Sequence, residues 1–423
     1  MTQDRCMVRV RRSFLKTGVL GLAGCMLTEG ISRRLRGAEE ADHAADSAIM
    51  VLLHGGMSHV DSFDPKPTAP VEVRGEFQSI ATRISGIRFC EHLPQLSDRA
   101  DRFATIRGIS HDFSVHEVGR QYVLTGVANA SVETPSLGAA VSCFQKRGSD
   151  MPPYIAIPAL EPNAGELGQA FESYNLLGDS GRLIGLAPGE NDIDGKARFE
   201  RRIDLLRSFE GRFASKREGD RKVLQRKAAY REATNALNSG RLRQLADLEA
   251  ESASVRNRYG ANPFGEYLLL ARRAIESGSR YVTVVLADWD THYENFQTLK
   301  HQLPMLDQGL AVLIDDLQER GLSQKTMLVV QSEFGRTPLI SREGGRDHWP
   351  LASCALMMGG GIAGGRVLGE TDTLGESPVS GKISPSDIAS TILSQLGIDP
   401  LGTKVESTGR VLLPVGNRID SLF

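Results

Sequence analysis

Seven residues, Ser47-Ala48-Ile49-Met50-Val51-Leu52-Leu53, run without an alternating polar face and break at once into His54-Gly55-Gly56. A strand that is apolar on both sides has to be covered on both sides, as inside a parallel sheet with helices above and below. It empties into a loop at its carboxyl end, the edge where open α/β sheets bind ligands. The pattern recurs twice. The β-branched run 280–286 follows an amphipathic stretch at 266–277 and empties into Asp288-Trp289-Asp290-Thr291-His292. The run 326–331 empties into Ser332-Glu333-Phe334-Gly335-Arg336, with Gly345-Arg346-Asp347-His348-Trp349-Pro350 close behind. Helix-like stretches at 305–320 and 386–396 lie between or beyond these runs. The expected fold is α/β, a doubly wound, mostly parallel sheet flanked by helices, filling residues 46–423.

Two segments stand outside that rhythm. Within 195–260 the chain is densely charged and basic residues outnumber acidic ones, while Ile203, Leu205, Leu206, Phe209 and Phe213 recur at helical spacing. A helical insertion of two or three surface helices is expected there. Residues 1–45 read as an export segment: Arg11-Arg12-Ser13-Phe14-Leu15-Lys16 leads into an apolar stretch at 17–27. That stretch is too short to span a bilayer and is diluted by Gly18, Gly21 and Gly24, as suits a twin-arginine signal handed to the twin-arginine translocation machinery. The expected destination is periplasmic or extracellular. Leu22-Ala23-Gly24-Cys25 resembles a lipoprotein box, so lipid anchoring through Cys25 stands as the alternative to ordinary cleavage within 36–45.

Composition removes other classes. A formal net charge of -2 gives no basic field for nucleic acid, which is not expected as a partner. Five cysteines form neither a CxxC pair nor an even framework, and Cys90, Cys143 and Cys354 are expected as buried thiols.

What remains is a concentration of histidine and carboxylate after the strands. His54, His59 and Asp61 follow the first, Asp290 and His292 the second, Glu333 the third, and Asp347 and His348 come shortly after; His111 and His116 lie in between. If the strand ends converge, these are ligands for divalent metal, with zinc as first choice and manganese, iron, calcium or magnesium as alternatives. Such a metal would polarise an ester oxygen or generate hydroxide near neutral pH. Arg120 and Arg336 would add guanidinium forks for a tetrahedral anion. Asp64, followed by Pro65, and Asp288 are weaker candidates, the first because turn chemistry explains it.

HGGMSHVDSFDPKP (54–67), ARRAIESGSRYV (271–282), WDTH (289–292), SEFGRTP (332–338) and GRDHWP (345–350) together resemble the DUF1501 family, exported proteins related to alkaline phosphatases and sulfatases. The likeness spans nearly all of the mature chain, and 386–398 is similar to the late helix of sulfatase-type proteins. It implies that Asp290 and His292 correspond to a metal-binding Asp and His pair, that Glu333 stands near a later pair, and that His348 is the last histidine ligand. The departures from the pattern matter as much. Sulfatases place a nucleophilic Cys or Ser ten residues before the glycine of a Leu-Thr-Gly motif and an arginine four residues after that nucleophile. Leu124-Thr125-Gly126 and Arg120 fit, but the nucleophile position is His116, which excludes formylglycine chemistry. His116 is then a ligand, a general base or a nucleophile, with Ser114 a nearby replacement nucleophile. His54-Gly55-Gly56 occupies the turn of the expected first aspartate, leaving His54, His59 or Asp61 to stand in. Two functions follow as expectations: an exported metal-dependent hydrolase of an anionic ester substrate, phosphate or sulfate, or a non-catalytic envelope or binding protein on the same fold.

Overall fold

The computed structural model describes residues 45–145, 151–161, 163–177, 193–215, 234, 240–401 and 413–423. The expected export segment, with Arg11, Arg12 and Cys25, lies outside them except for Ala45, and so do 216–233 and 235–239 of the expected insertion.

The central sheet has eight strands: β1 (Ser47–Leu53), β2 (Ala104–Ile109), β3 (Tyr154–Ile157), β4 (Tyr174–Asn175), β5 (Tyr281–Leu286), β6 (Thr326–Gln331), β7 (Ser353–Met358) and β8 (Val367–Leu368). Their spatial order is β8-β2-β7-β6-β1-β5-β3-β4. The three strands read first from the sequence are the centre of the sheet. β1 pairs in parallel with β5 on one side and β6 on the other, so all three end at the same edge. The antiparallel member is β7, which runs against both β2 and β6.

Side-chain parity explains why β1 is apolar throughout. Ile49, Val51 and Leu53 face one core together with Val282, Val284, Leu328 and Val330. Helices α3 (Pro263–Glu276) and α4 (Asn295–Glu319) cover that face through Leu268, Leu303, Leu310 and their neighbours. Ala48 and Met50 face the opposite core with Met327 and Val329, under α2 (Leu137–Phe144) and α5 (Pro385–Gln395). Both faces are closed, as expected for a strand with no polar parity.

Local chemistry marks the helix starts. Asn262 caps α3 by accepting from the Gly265 amide, with Pro263 in the first turn. Ser384 and Asp387 form a capping box on α5, again with Pro385 at the start. In the charged region, Ile193–Ser215 is one long helix with Leu205 and Phe209 exposed, and Arg241–Ala246 and Ala253–Tyr259 are two shorter ones. Cys90, Cys143 and Cys354 are buried, as expected.

Candidate metal centre

Two glycines let the loops meet at the carboxyl edge. Gly55 sits at φ 122, and a β-carbon there would collide with the backbone of Trp289 and Asp290. Gly345 lies against the His292 carbonyl, where a β-carbon has no room. The segment Trp289–His292 is thus held between the loop after β1 and the loop at 344–348. A two-residue antiparallel pairing sets His348 opposite Arg336, which fixes where the second loop delivers its histidine. The helix α1 (His116–Thr125) starts at the same edge and offers His116 from its first turn.

Three imidazoles converge on one carboxylate. His292 Nε2 lies 3.0 Å from His348 Nε2 and 3.1 Å from Asp290 Oδ1. His348 Nε2 lies 3.3 Å from Asp290 Oδ1, and His116 Nε2 lies 3.3 Å from Asp290 Oδ2. Each ring is held from its other nitrogen. His116 Nδ1 donates to Glu333 Oε1 at 2.7 Å, His292 Nδ1 to Asp347 Oδ1 at 2.6 Å, and His348 Nδ1 to the Ser114 carbonyl at 2.7 Å. With each Nδ1 proton engaged by an oxygen, the lone pairs on Nε2 face one another and an acceptor. His116 Nε2 is buried and, among the described residues, has no hydrogen-bond partner. Lone pairs turned together in this way are mutually repulsive until a cation, either a proton or a metal, lies among them.

The residues fit a metal. Ligands at about 2.0–2.1 Å around a tetrahedral ion stand about 3.3–3.4 Å apart, close to the observed separations. A ligating histidine usually gives its other ring N–H to a carboxylate or a carbonyl, as all three do here. His116, Asp290 and His348 offer ligand atoms within 4.8 Å of one another, as do His54, His116 and Glu333.

Glu333 is the buried node beneath this group. Its Oε1 receives His116 Nδ1, His54 Nδ1 at 3.0 Å and the Gly55 amide at 2.8 Å. Burial opposes its ionisation, but the hydrogen bonds from His116 and His54 outweigh burial and hold its carboxyl well below the usual carboxylate range. The same bond to Glu333, with burial opposing, raises the affinity of His116 for a proton. Ser332, which opens the SEFGRTP motif but carries no role read from the sequence, accepts from the Met57 amide, donates to the Leu53 carbonyl and lies 3.2 Å from Glu333 Oε2.

Other candidates lie apart from the convergence. Asp61 is fully buried in a bidentate pair with Arg346, at 2.7 and 2.8 Å, and also accepts from Asn295. His59 is buried with Nε2 on the Gly375 carbonyl at 2.7 Å, and burial lowers its proton affinity. His111 spends Nε2 on the Glu333 carbonyl and Nδ1 on the Phe113 amide. Asp64 pairs with Lys66 and Arg107. Asp288 is exposed, in a left-handed turn with φ 75. Arg336, expected as an anion fork, is instead fully buried and spends its donors on the Gly55, Gly56 and Arg346 carbonyls and on Asp290. It steadies Asp290 instead of facing an open site. Asp347 stands behind His292, and Ser114 contributes its carbonyl.

The open space beside the cluster is a cleft of ≈ 450 Å³ bordered by His54, His116, Arg120, Glu161 and Asp290. Arg120, one helical turn beyond His116, reaches Glu161 at 3.1 Å across the mouth. Glu161 lies on the loop after β3 and had no sequence signal.

A model of the family described as "Protein of unknown function (DUF1501)" matches residues 45–417. The chain belongs to the DUF1501 family. Among curated proteins none matches this DUF1501 chain by sequence. Solved structures resemble it loosely. The sulfatase PsFucS1 from Pseudoalteromonas sp. is 13% identical, with 89% of this chain and 72% of that one covered at a TM-score of 0.40. The lipoteichoic acid synthase LtaP from Listeria monocytogenes is 10% identical, covering 88% and 75% at 0.37. The alkaline phosphatase of the Antarctic bacterium TAB5 is 9% identical, covering 84% and 99% at 0.35. At such scores nothing about chemistry transfers from them.

Proposed function

We propose that this protein is an exported metal-dependent hydrolase of phosphate or sulfate esters. The observation that carries the reading is the convergence of His116, His292 and His348 on Asp290, each ring oriented by an oxygen on its Nδ1. Those four side chains would hold the ion. Three imidazoles and one carboxylate suit zinc or iron better than manganese, calcium or magnesium, which prefer oxygen ligands. When bound, such an ion supplies Lewis-acid polarisation of an ester oxygen. The chain supplies the rest. Among the residues bordering the cleft Arg120 is the cation, and it is placed to pair with an anionic group there. Export is supported by the paired arginines at 11 and 12 and the short apolar stretch behind them.

The test is elemental analysis of the purified mature protein beside a His292→Ala, His348→Ala variant, with aryl phosphate and aryl sulfate turnover measured on the same samples. Stoichiometric metal in the wild type that vanishes together with turnover in the variant supports the reading. Metal without turnover would leave a binding protein, and absence of metal would refute the centre altogether.

A further inference from the structure

The three histidines turned towards Asp290 leave one histidine of the site unassigned. We propose that His54 is the proton acceptor of the hydrolytic step, an inference that rests on the hydrolase reading above. Glu333 Oε1 takes three donors, from Gly55, His116 and His54. An ionised carboxylate can only accept, so His54 Nδ1 carries the ring proton and Nε2 carries the lone pair. The carboxylate lies fully buried beneath the ring, whereas the His54 side chain is 29% exposed and borders the cleft. Nε2 has no partner among the described residues. The difference from His116 is decisive: His116 Nε2 is closed off from solvent inside the cluster, whereas the part-exposed His54 ring borders the cleft, within reach of a water molecule there.

The mount is rigid. The His54 amide donates to the Leu286 carbonyl at 2.8 Å, and its own carbonyl accepts from Trp289 at 3.3 Å, so the backbone that carries the ring is tied to the end of β5 and the loop after it. An imidazole whose tautomer is set by a buried carboxylate, with its free nitrogen facing a reactant, is the arrangement of a general base. In the step itself, Nε2 takes a proton from water as the water oxygen bonds to phosphorus or sulfur. The bond to the leaving oxygen breaks with its electron pair. The proton then passes from the ring to that oxygen or to solvent, and the neutral imidazole is restored.

His54→Ala and His54→Gln test this, the second because its amide can still donate to Glu333 and keep the fold. Both are expected to keep wild-type metal content and to lose about 10²–10⁴-fold in kcat with little change in KM. Imidazole added to His54→Ala should restore at least tenfold of the lost rate, sodium chloride at equal ionic strength should not, and His54→Gln should not respond. Metal lost in step with activity would make His54 a ligand and overturn the proposal, as would an unchanged kcat in either variant. These outcomes leave the hydrolase reading standing. A wild type that holds metal but turns over neither aryl ester would overturn both.

Discussion

Replacing Asp61 with asparagine should cost stability and leave the metal in place, which separates a structural latch from a ligand. Asp61 and Arg346 are both 0% exposed and share a two-point ion pair. Arg346 also donates to the carbonyls of Val73, Thr337 and Pro338, and Asp61 accepts from Asn295. The pair therefore joins the loop after β1, the start of α4 and the segment that delivers His348. Removing one partner of a buried pair costs about 3–5 kcal/mol, because the other charge is left without compensation. The three carbonyls that still accept from Arg346 argue for the lower end, about 3 kcal/mol, or roughly a hundredfold in the folding equilibrium. Urea denaturation at fixed metal concentration reads this as a lower midpoint with an unchanged slope. Replacing Asp61 by leucine and Arg346 by methionine should recover only part of the loss, since the three carbonyls would then lack a donor. A folded Asp61→Asn protein that lacked metal would show that Asp61 is a ligand after all. An unchanged midpoint would refute the latch.

Asp347→Asn keeps an acceptor for His292 Nδ1 but removes its charge, and should weaken metal binding by about 10–100-fold in a chelator competition; unchanged affinity would dissociate Asp347 from the centre. Glu161 is 80% exposed and paired with Arg120, so Glu161→Gln should free the arginine and lower KM for an anionic ester by up to about fivefold, the worth of an exposed pair. Equal KM values would refute that competition. Asp307 is buried beneath the Gln95 and Leu96 amides, and burial, only partly offset by those hydrogen bonds, pushes its carboxyl up to about 6. A raised carboxyl contributes stability that is fully present below its unfolded value near 3.9 and is lost as pH rises through about 6, on the order of 3 kcal/mol here. Urea midpoints between pH 4 and pH 7 should fall less in Asp307→Asn than in the wild type, and parallel curves would sink the assignment.

The centre of the fold was legible because its physics is local. An uninterrupted apolar strand must be buried on both faces, and three such runs, each followed by a polar loop, define the middle of the sheet and one common edge. β7 was not legible. Ser353-Cys354-Ala355-Leu356-Met357-Met358 is as apolar as its neighbours, and nothing in that composition distinguishes a strand running against the sheet from one running with it. β3 escaped for a related reason, since a run such as Tyr154–Ile157 is long enough to pair but too short to show a period, while β2 is as long as β5 and β6 but is interrupted by Arg107 and Gly108.

The site was legible as an inventory but not as a division of labour. Aspartate, histidine and arginine at strand ends have the same ingredients whether they bind an ion, hold a ligand or tie loops together. What decides is the second contact of each group, and those contacts cross the chain. His116 and His54 look alike in sequence, and both give Nδ1 to Glu333 more than two hundred residues away. They differ in surroundings: His116 Nε2 is buried beside Asp290, whereas the His54 ring is part-exposed at the cleft. Asp61 and Asp290 are likewise each approached by an arginine. Arg346 takes both oxygens of Asp61, whereas Arg336 takes only Oδ1 of Asp290 and leaves the carboxylate facing three imidazoles. A carboxylate that an arginine saturates is structural. One that the arginine only steadies, with lone pairs gathered around it, is left free to take an ion, and residue type and spacing do not carry that distinction.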